Sequence, residues 1–171
     1  MITVTPWVDR KFDFNFPVGI FPIILERIRG TIPQLRSMID GVSNDKLSAK
    51  QDDKWSVKEI IGHLSDLEDL WMGRIDDFLE GKEYLRAADM SNTRTHEAGH
   101  NQKPVEELLQ QFADKRQTLL SRVIDIDERT ASRVALHPRL QKNMRLIDSL
   151  FFAAEHDDHE LSKIRGLLNS D

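Results

Sequence analysis

An apolar stripe between residues 56 and 78 constrains the fold more than any other feature of the sequence. It recurs every three or four residues, as one face of an α-helix does, and its members are Val57, Ile60, Ile61, Leu64, Leu67, Trp71, Ile75 and Phe78. Ser56 and Glu59 have the spacing of a capping box, in which two side chains satisfy free backbone N–H groups at a helix start. Gly81 suits the left-handed residue that follows a helix. The sequence therefore predicts a long, capped helix that must bury one face.

Three further segments show the same helical spacing, at about residues 20–39, 104–126 and 146–168. Gly30 and Pro33 interrupt the first of these, and because proline removes a backbone donor we expect a kink there. Four helices predict an all-α fold, a four-helix bundle with long crossover connections. An irregular helical domain is the alternative.

The remaining segments are expected to be connections. Residues 82–103 and 127–143 are long and poorly periodic, and the second has a short helical turn near residues 128–132 and a break at His137-Pro138. Residues 1–16 alternate weakly, and we expect an irregular N-terminal extension over the bundle and no sheet. Residues 1–171 are thus predicted to form a single domain.

Composition narrows the classes of function. The net charge is −5 without a block of Lys and Arg, which disfavours nucleic acid and anionic membranes as partners. No signal peptide or bilayer-spanning apolar run is visible, so a cytoplasmic location is expected. There is no cysteine, so any metal site must use nitrogen and oxygen ligands.

The segment 155–160 reads Glu-His-Asp-Asp-His-Glu and is the densest group of metal-ligand residue types. On a helix, His156 can pair with Glu160 or with His159, and spacing alone does not choose between them. Relative to the apolar stripe of that helix, Glu160 lies roughly 80° and His156 roughly 120° from the inward direction. His159 falls roughly opposite the stripe. We therefore expect Glu160 to face the bundle interior beside His156, and His159 to face solvent.

The predicted helix at residues 56–78, the second along the chain, offers a matching metal-ligand residue. His63 lies on the flank of its stripe, and Glu68 lies inside the stripe, where it needs a hydrogen-bond partner or a place near a metal. Asp157 also points inward, and we interpret it as orienting a ligand histidine. An Asp at the open end of the bundle is the alternative. His96 and His100 lie in the first connection and are expected on the surface.

Three segments of the sequence are similar to those of a known family. Residues 54–64, Lys-Trp-Ser-Val-Lys-Glu-Ile-Ile-Gly-His-Leu, with Asp66, Glu68 and Arg74, resemble the second helix of the DinB-like (YfiT-like) superfamily of metal-binding bundles. Residues 155–164 resemble its fourth-helix motif, and residues 89–112 are similar to its crossover and third helix. The resemblance covers about residues 20–168.

The resemblance implies a divalent metal ion at one end of the bundle, held by one His of helix two and two of helix four. His63 and His156 match two of these positions, whereas the third is Glu160 in this chain, with His159 as the alternative ligand. Two imidazoles and one carboxylate suit Zn, Ni, Fe or Mn and leave coordination positions open.

Some members of that superfamily are thiol-dependent S-transferases or isomerases. The resemblance therefore implies a metal-dependent transferase or hydrolase acting on a small molecule, with a low-molecular-weight thiol as a candidate partner. No separate nucleophile or base is identified, although Glu68, Asp157 or His159 could transfer a proton. The alternative is a non-catalytic stress-response or ligand-binding bundle with a vestigial site. Related bundles often pair, so a homodimer is an open expectation that no stripe here requires.

Overall fold

The four predicted helices form in the computed structural model, which describes residues 3–169. Residues 1 and 2 of the expected extension, and residues 170 and 171, lie outside the described part of the chain. The helices are α1 Phe21–Ile39, α2 Asn44–Ser48, α3 Val57–Leu79, α4 Thr93–Glu97, α5 Val105–Val123, α6 Glu128–Ala131 and α7 Leu146–Asn169. The strands are β1 Val134–His137 and β2 Lys142–Arg145. The long helices are α1, α3, α5 and α7, and they confirm the predicted fold class.

Helix α3 packs against α5 and α7. Its capping box is complete: the Glu59 N–H donates to Ser56 Oγ at 3.2 Å, and the Ser56 N–H donates to Glu59 Oε2 at 2.8 Å. After the helix Gly81 takes φ +70°, a conformation that favours glycine. Helix α1 packs against α7 and α5 and stays helical through Pro33.

A buried polar layer divides the core at the same height in all four long helices. One apolar cluster lies on each side of it, one including Ile28, Trp71, Leu119 and Ala154, and the other including Leu35, Leu64, Phe112 and Leu161. The layer itself takes one residue from each helix, in chain order Thr31, Glu68, Arg116 and Asp157.

The second connection holds the predicted short helix, α6, and a β-hairpin that the sequence did not predict. Strands β1 and β2 pair antiparallel, with Val134 opposite Arg145 and His137 opposite Lys142. Each strand has four residues, the shortest run over which an alternating pattern can be recognised. Leu136 also accepts from the Leu85 N–H at 3.0 Å, which ties the hairpin to the first connection.

The described part of the N-terminal extension, residues 3–16, lies over the bundle without forming a strand, as predicted. Phe12 is buried, and Lys142 Nζ donates to its carbonyl at 2.7 Å. Trp7 lies against Phe152 of α7, with ring centroids 4.9 Å apart. The segment thereby covers one side of α7. None of the helices within residues 3–169 is long and apolar enough to cross a membrane.

Candidate metal centre

Three buried side chains from two helices converge where α3 faces α7. His63, His156 and Glu160 each offer a ligand atom, and these atoms lie within 4.8 Å of one another. The two imidazole rings have centroids 5.3 Å apart, and His156 Nε2 lies 3.7 Å from Glu160 Oε1. His156 and Glu160 are one helical turn apart, which places both on the same side of α7. The structure thus brings together the three residues of the predicted set.

The hydrogen bonds of His63 define its tautomer. Its Nδ1 lies 3.2 Å from Thr95 Oγ1, which lies 3.0 Å from Asp66 Oδ2. Burial by itself raises the pKa of Asp66, but hydrogen bonds from His100 and Thr95 lower it below its usual value, so the carboxylate only accepts. The single hydroxyl hydrogen of Thr95 therefore goes to Asp66, and Thr95 accepts from the Nδ1–H of His63. This leaves His63 Nε2 with a free lone pair.

His100 is buried, which corrects the expectation that it lies on the surface. Its Nε2 lies 2.8 Å from Asp66 Oδ2. His100 therefore positions the carboxylate that accepts the hydrogen bond from Thr95. It fits because position 62 is glycine: a Cβ on Gly62 would overlap the imidazole ring. His96 is exposed as expected, with its ring 5.5 Å from that of Trp55.

The electrostatics suit metal binding by neutral imidazoles. Burial, with Lys163 next in size, lowers the pKa of His63 to about 4, and burial lowers that of His156 well below its ordinary value. Both rings are therefore uncharged near neutral pH, the form in which a histidine ligates. Burial raises the pKa of Glu160, and Lys163, whose Nζ lies 2.7 Å from Glu160 Oε2, opposes this.

The residues present fit a divalent ion. His156 Nε2 lies 3.7 Å from Glu160 Oε1, beyond hydrogen-bond distance, so within residues 3–169 this nitrogen is available to bind an ion. Two nitrogens and a carboxylate form a donor set that Zn, Ni, Fe and Mn accept.

His159 does not face solvent, contrary to the sequence-based expectation. It is 9% exposed, because the N-terminal extension covers this side of α7 and the Trp7 ring lies 5.7 Å from its own. Its side chain lines the same cleft as the three candidate ligands.

Glu68 and Asp157 bind Arg116, and neither hydrogen bonds to a histidine within the described chain. Arg116 donates to Glu68 from Nε and Nη2, at 3.1 and 2.7 Å, and to Asp157 Oδ2 from Nη1, at 2.7 Å. Thr31 donates to the same Asp157 oxygen at 2.7 Å. The orienting role predicted for Asp157 is thus corrected: its carboxylate faces the α5 guanidinium and not an imidazole.

A cleft of about 1090 Å³ opens above the three candidate ligands. All three tryptophans of the chain line it: Trp7 lies 4.9 Å from His156, Trp55 4.6 Å from His63 and Trp71 6.2 Å from His156, measured between ring centroids. The three aromatic rings form part of the wall of a cleft that has space for a small molecule. Trp7 and Thr95 belong to the candidate site but were not predicted from the sequence, because neither shares a helix with the candidate ligands.

Comparisons with known proteins agree with this fold. Residues 27–164 match the sequence model of the DinB superfamily. The fold is similar to that of YfiT from Bacillus subtilis, described as a probable metal-dependent hydrolase with an unusual four-helix bundle topology, with a TM-score of 0.76 and 15% identity over 92% of this chain and 91% of YfiT. No curated protein matches the sequence.

A second solved structure with a similar fold is a mycothiol-dependent maleylpyruvate isomerase. The TM-score is 0.67 and the identity 12%, over 91% of this chain. The chain spans 62% of the isomerase's length. At such identities these two likenesses establish a shared bundle topology.

Proposed function

The chain belongs to the DinB superfamily, and from that premise we propose that it is a divalent-metal-dependent enzyme acting on a small molecule, either a hydrolase or a thiol-dependent S-transferase. The observation that carries the proposal is the convergence of His63, His156 and Glu160 at the base of a large open cleft. Three protein ligands leave coordination positions free for water or substrate, the arrangement of catalytic and not of structural sites.

The ion, when bound, would lower the pKa of a water or thiol at its open position and so supply a nucleophile near neutral pH. His63 and His156 would hold it through neutral nitrogens, with Glu160 supplying the negative charge. Of the three side chains predicted to transfer a proton, Glu68 and Asp157 are engaged by Arg116. His159 lines the cleft, and burial, followed by Lys163 and Arg10, lowers its pKa, so it is the base best placed to accept a proton.

The mycothiol dependence of the isomerase supports a low-molecular-weight thiol as the co-substrate. Adding N-acetylcysteine to the cobalt-substituted protein tests this, since a thiolate on cobalt produces a strong near-ultraviolet charge-transfer band. The band is expected for the S-transferase, and its absence at saturating thiol would favour the hydrolase.

Metal titration tests the proposal itself. At a metal concentration 100 times the Kd, binding should stabilise the fold by about 2.7 kcal/mol, which is roughly 5–10 °C in Tm for a chain of this size. The shift should disappear in His63→Ala and shrink strongly in Glu160→Gln, whereas His159→Ala, the matched control on α7, should keep it. Metal content below about a tenth of an equivalent, together with no Tm shift from Zn, Ni, Mn or Fe, would refute a metal centre.

A non-catalytic bundle with a vestigial site is the second candidate. One observation favours it: Lys163 pairs with the carboxylate that a metal would need. In that case Lys163→Met would raise the metal affinity to a measurable level while the unaltered protein bound none. A Tm shift in the unaltered protein, with little gain in Lys163→Met, would exclude this candidate.

A further inference from the structure

Two arginines and a histidine line the cleft without a carboxylate partner. Arg74, His137 and Arg139 all face this space, and no carboxylate within residues 3–169 lies within ion-pair distance of either guanidinium. Arg74 is 1% exposed; its Nε donates to the Arg86 carbonyl at 3.2 Å, and its guanidinium lies 5.3 Å from the centroid of the Trp71 ring. Asp77 acts on Arg74 only through its charge, from beyond ion-pair distance. A buried cation without a carboxylate in direct contact is costly.

His137 adds a third donor. The Leu140 N–H donates to His137 Nδ1 at 3.2 Å, so in the neutral ring the hydrogen resides on Nε2. Burial, followed by Arg74 and Arg139, lowers the pKa of His137 to about 3, which keeps the ring neutral. Nε2 is buried and has no partner in the described part of the chain. The Nε2–H of His137 is therefore a buried donor without an acceptor among the described residues.

Arg139 completes the group. Its Nη2 is buried without a partner among residues 3–169, and its Nη1 reaches only the Val8 carbonyl, at 3.5 Å. Its guanidinium lies 5.9 Å from the Phe152 ring, which also contacts His137 at 5.3 Å. Arg74 and Arg139 lie close enough for each to depress the pKa of His137. Arg74, His137 and Arg139 therefore line the same cleft, and none of them forms an ion pair with a carboxylate of the described chain.

The nearest carboxylate to Arg74 is already occupied. Asp77 accepts from Arg86 at both carboxylate oxygens and from Lys82 at Oδ1. Burial by itself raises the pKa of Asp77, but these hydrogen bonds lower it far below its usual value, so the carboxylate is satisfied. The donors of Arg74, His137 and Arg139 are therefore available to an anion from outside the chain.

We propose that Arg74, Arg139 and the Nε2–H of His137 bind the anionic end, a carboxylate or sulfonate, of an elongated and largely apolar substrate. That the other end of the substrate reaches the metal centre rests on the function proposed above. Arg74 follows His63 by three helical turns on α3, about 16 Å along the axis. Leu67, Leu70, Trp71 and Phe152 line the cleft.

The length and the lining define the substrate class. A small inorganic anion would bind at the arginine end of the cleft and make no contact with its apolar wall. A neutral apolar molecule would contact that wall but leave the three donors unsatisfied. An aromatic or aliphatic body with one terminal anion satisfies both parts of the cleft. Recognition of the terminal anion by two guanidinium groups is charge-assisted, which makes it the stronger anchor.

Fluorescence binding of two matched probes tests the subsite. Anilinonaphthalene sulfonate carries an anionic group on an apolar body, and phenylnaphthylamine has the same aromatic framework without the sulfonate. Sulfonate affinity should fall roughly 10-fold or more in Arg74→Met and in Arg139→Met. Phenylnaphthylamine affinity should change less than about two-fold, because methionine keeps the apolar contacts. Arg129→Met, on the exposed face of α6, is the control and should bind both probes as the unaltered protein does.

Metal-free protein is used throughout, so the result does not depend on the proposed metal chemistry. Unchanged sulfonate affinity in both variants, or an equal loss for both probes, would overturn the subsite whatever the metal titration shows. Circular dichroism and Tm confirm that each variant is folded. If Arg74→Met fails to fold, Arg139→Met, at a less buried position, provides the same comparison.

Discussion

At the scale of single residues, Thr95 sets which nitrogen of His63 is free for a metal. Because its hydroxyl hydrogen goes to Asp66, its oxygen accepts from Nδ1–H and leaves Nε2 unprotonated. Ligand histidines commonly donate their second nitrogen in this way, which fixes the ring and increases its basicity. His156 has no such partner within the described chain, so the two imidazoles are not equivalent.

Thr95→Val should weaken metal binding roughly 10- to 100-fold, the usual effect of losing a hydrogen bond to a ligand's second nitrogen. Valine keeps the shape and removes the oxygen that accepts from His63. Thr95→Ser, which keeps the hydroxyl, should bind within about three-fold of the unaltered protein. Metal affinity is measured by competition with a chelating dye, and equal affinities for the valine and serine variants would contradict the tautomer assignment.

The candidate ligands could be predicted from sequence because each lies in a recognisable motif on one helix. The residues that surround these candidate ligands could not be predicted in this way. Thr95 is 32 residues from His63, and Arg10 and Trp7 reach α7 from the start of the chain. Such contacts depend on how distant segments pack, and no local pattern encodes them.

At the scale of elements, the first connection packs closely against α3 and completes the site. Lys58 Nζ donates to the Asn101 carbonyl at 2.9 Å, and His100 binds Asp66 at the level of His63. Helix α3 has two interior glycines, Gly62 and Gly73, and both lie where this connection packs against the helix. Glycine weakens a helix, so its presence twice in one helix reflects the need for close approach.

Gly62→Ala should destabilise the fold by about 1–3 kcal/mol, because the new methyl group overlaps the His100 ring. Helix propensity alone predicts the opposite sign, a gain of about 0.5–1 kcal/mol. Gly30→Ala in α1 is the matched control: its Cβ would meet only Gln34, at an ordinary 3.5 Å, and it should stabilise. Urea unfolding measures both, and a stabilising Gly62→Ala would show that His100 does not pack there.

The four long helices could be predicted because an amphipathic period, a capping box and a terminal glycine are local signals. The hairpin of β1 and β2 was missed because its short strands are stabilised by each other and by the first connection. The burial of His100 could not be predicted because a connection was expected to lie on the surface, and that of His159 could not be predicted for a related reason. A helical stripe reports which face meets other helices, but it does not report which face a connection or an N-terminal segment will cover.

At the scale of the whole molecule, the polar layer joins all four long helices at one level. Arg116 binds Glu68 of α3 and Asp157 of α7, and its Nη1 also donates to the Ile28 carbonyl of α1 at 2.8 Å. Burial by itself lowers the pKa of Arg116, but the two carboxylates reverse this and raise it above its ordinary value. The pairing favours one relative register of α3, α5 and α7, since a shift of any of these three helices would leave a buried charge unpaired.

Arg116→Met should therefore cost about 3–5 kcal/mol, because it leaves Glu68 and Asp157 buried without a cation. Burial already raises the pKa of Glu68, and losing Arg116 removes the opposing effect. The folded variant then binds more protons than the unfolded chain, so its stability falls as pH rises, and the deficit should be larger at about pH 8 than at about pH 5. Adding Glu68→Leu and Asp157→Leu should recover most of the loss and remove the pH dependence. Urea unfolding at both pH values checks this, and a triple variant less stable than Arg116→Met would show that the layer holds the bundle by more than charge pairing.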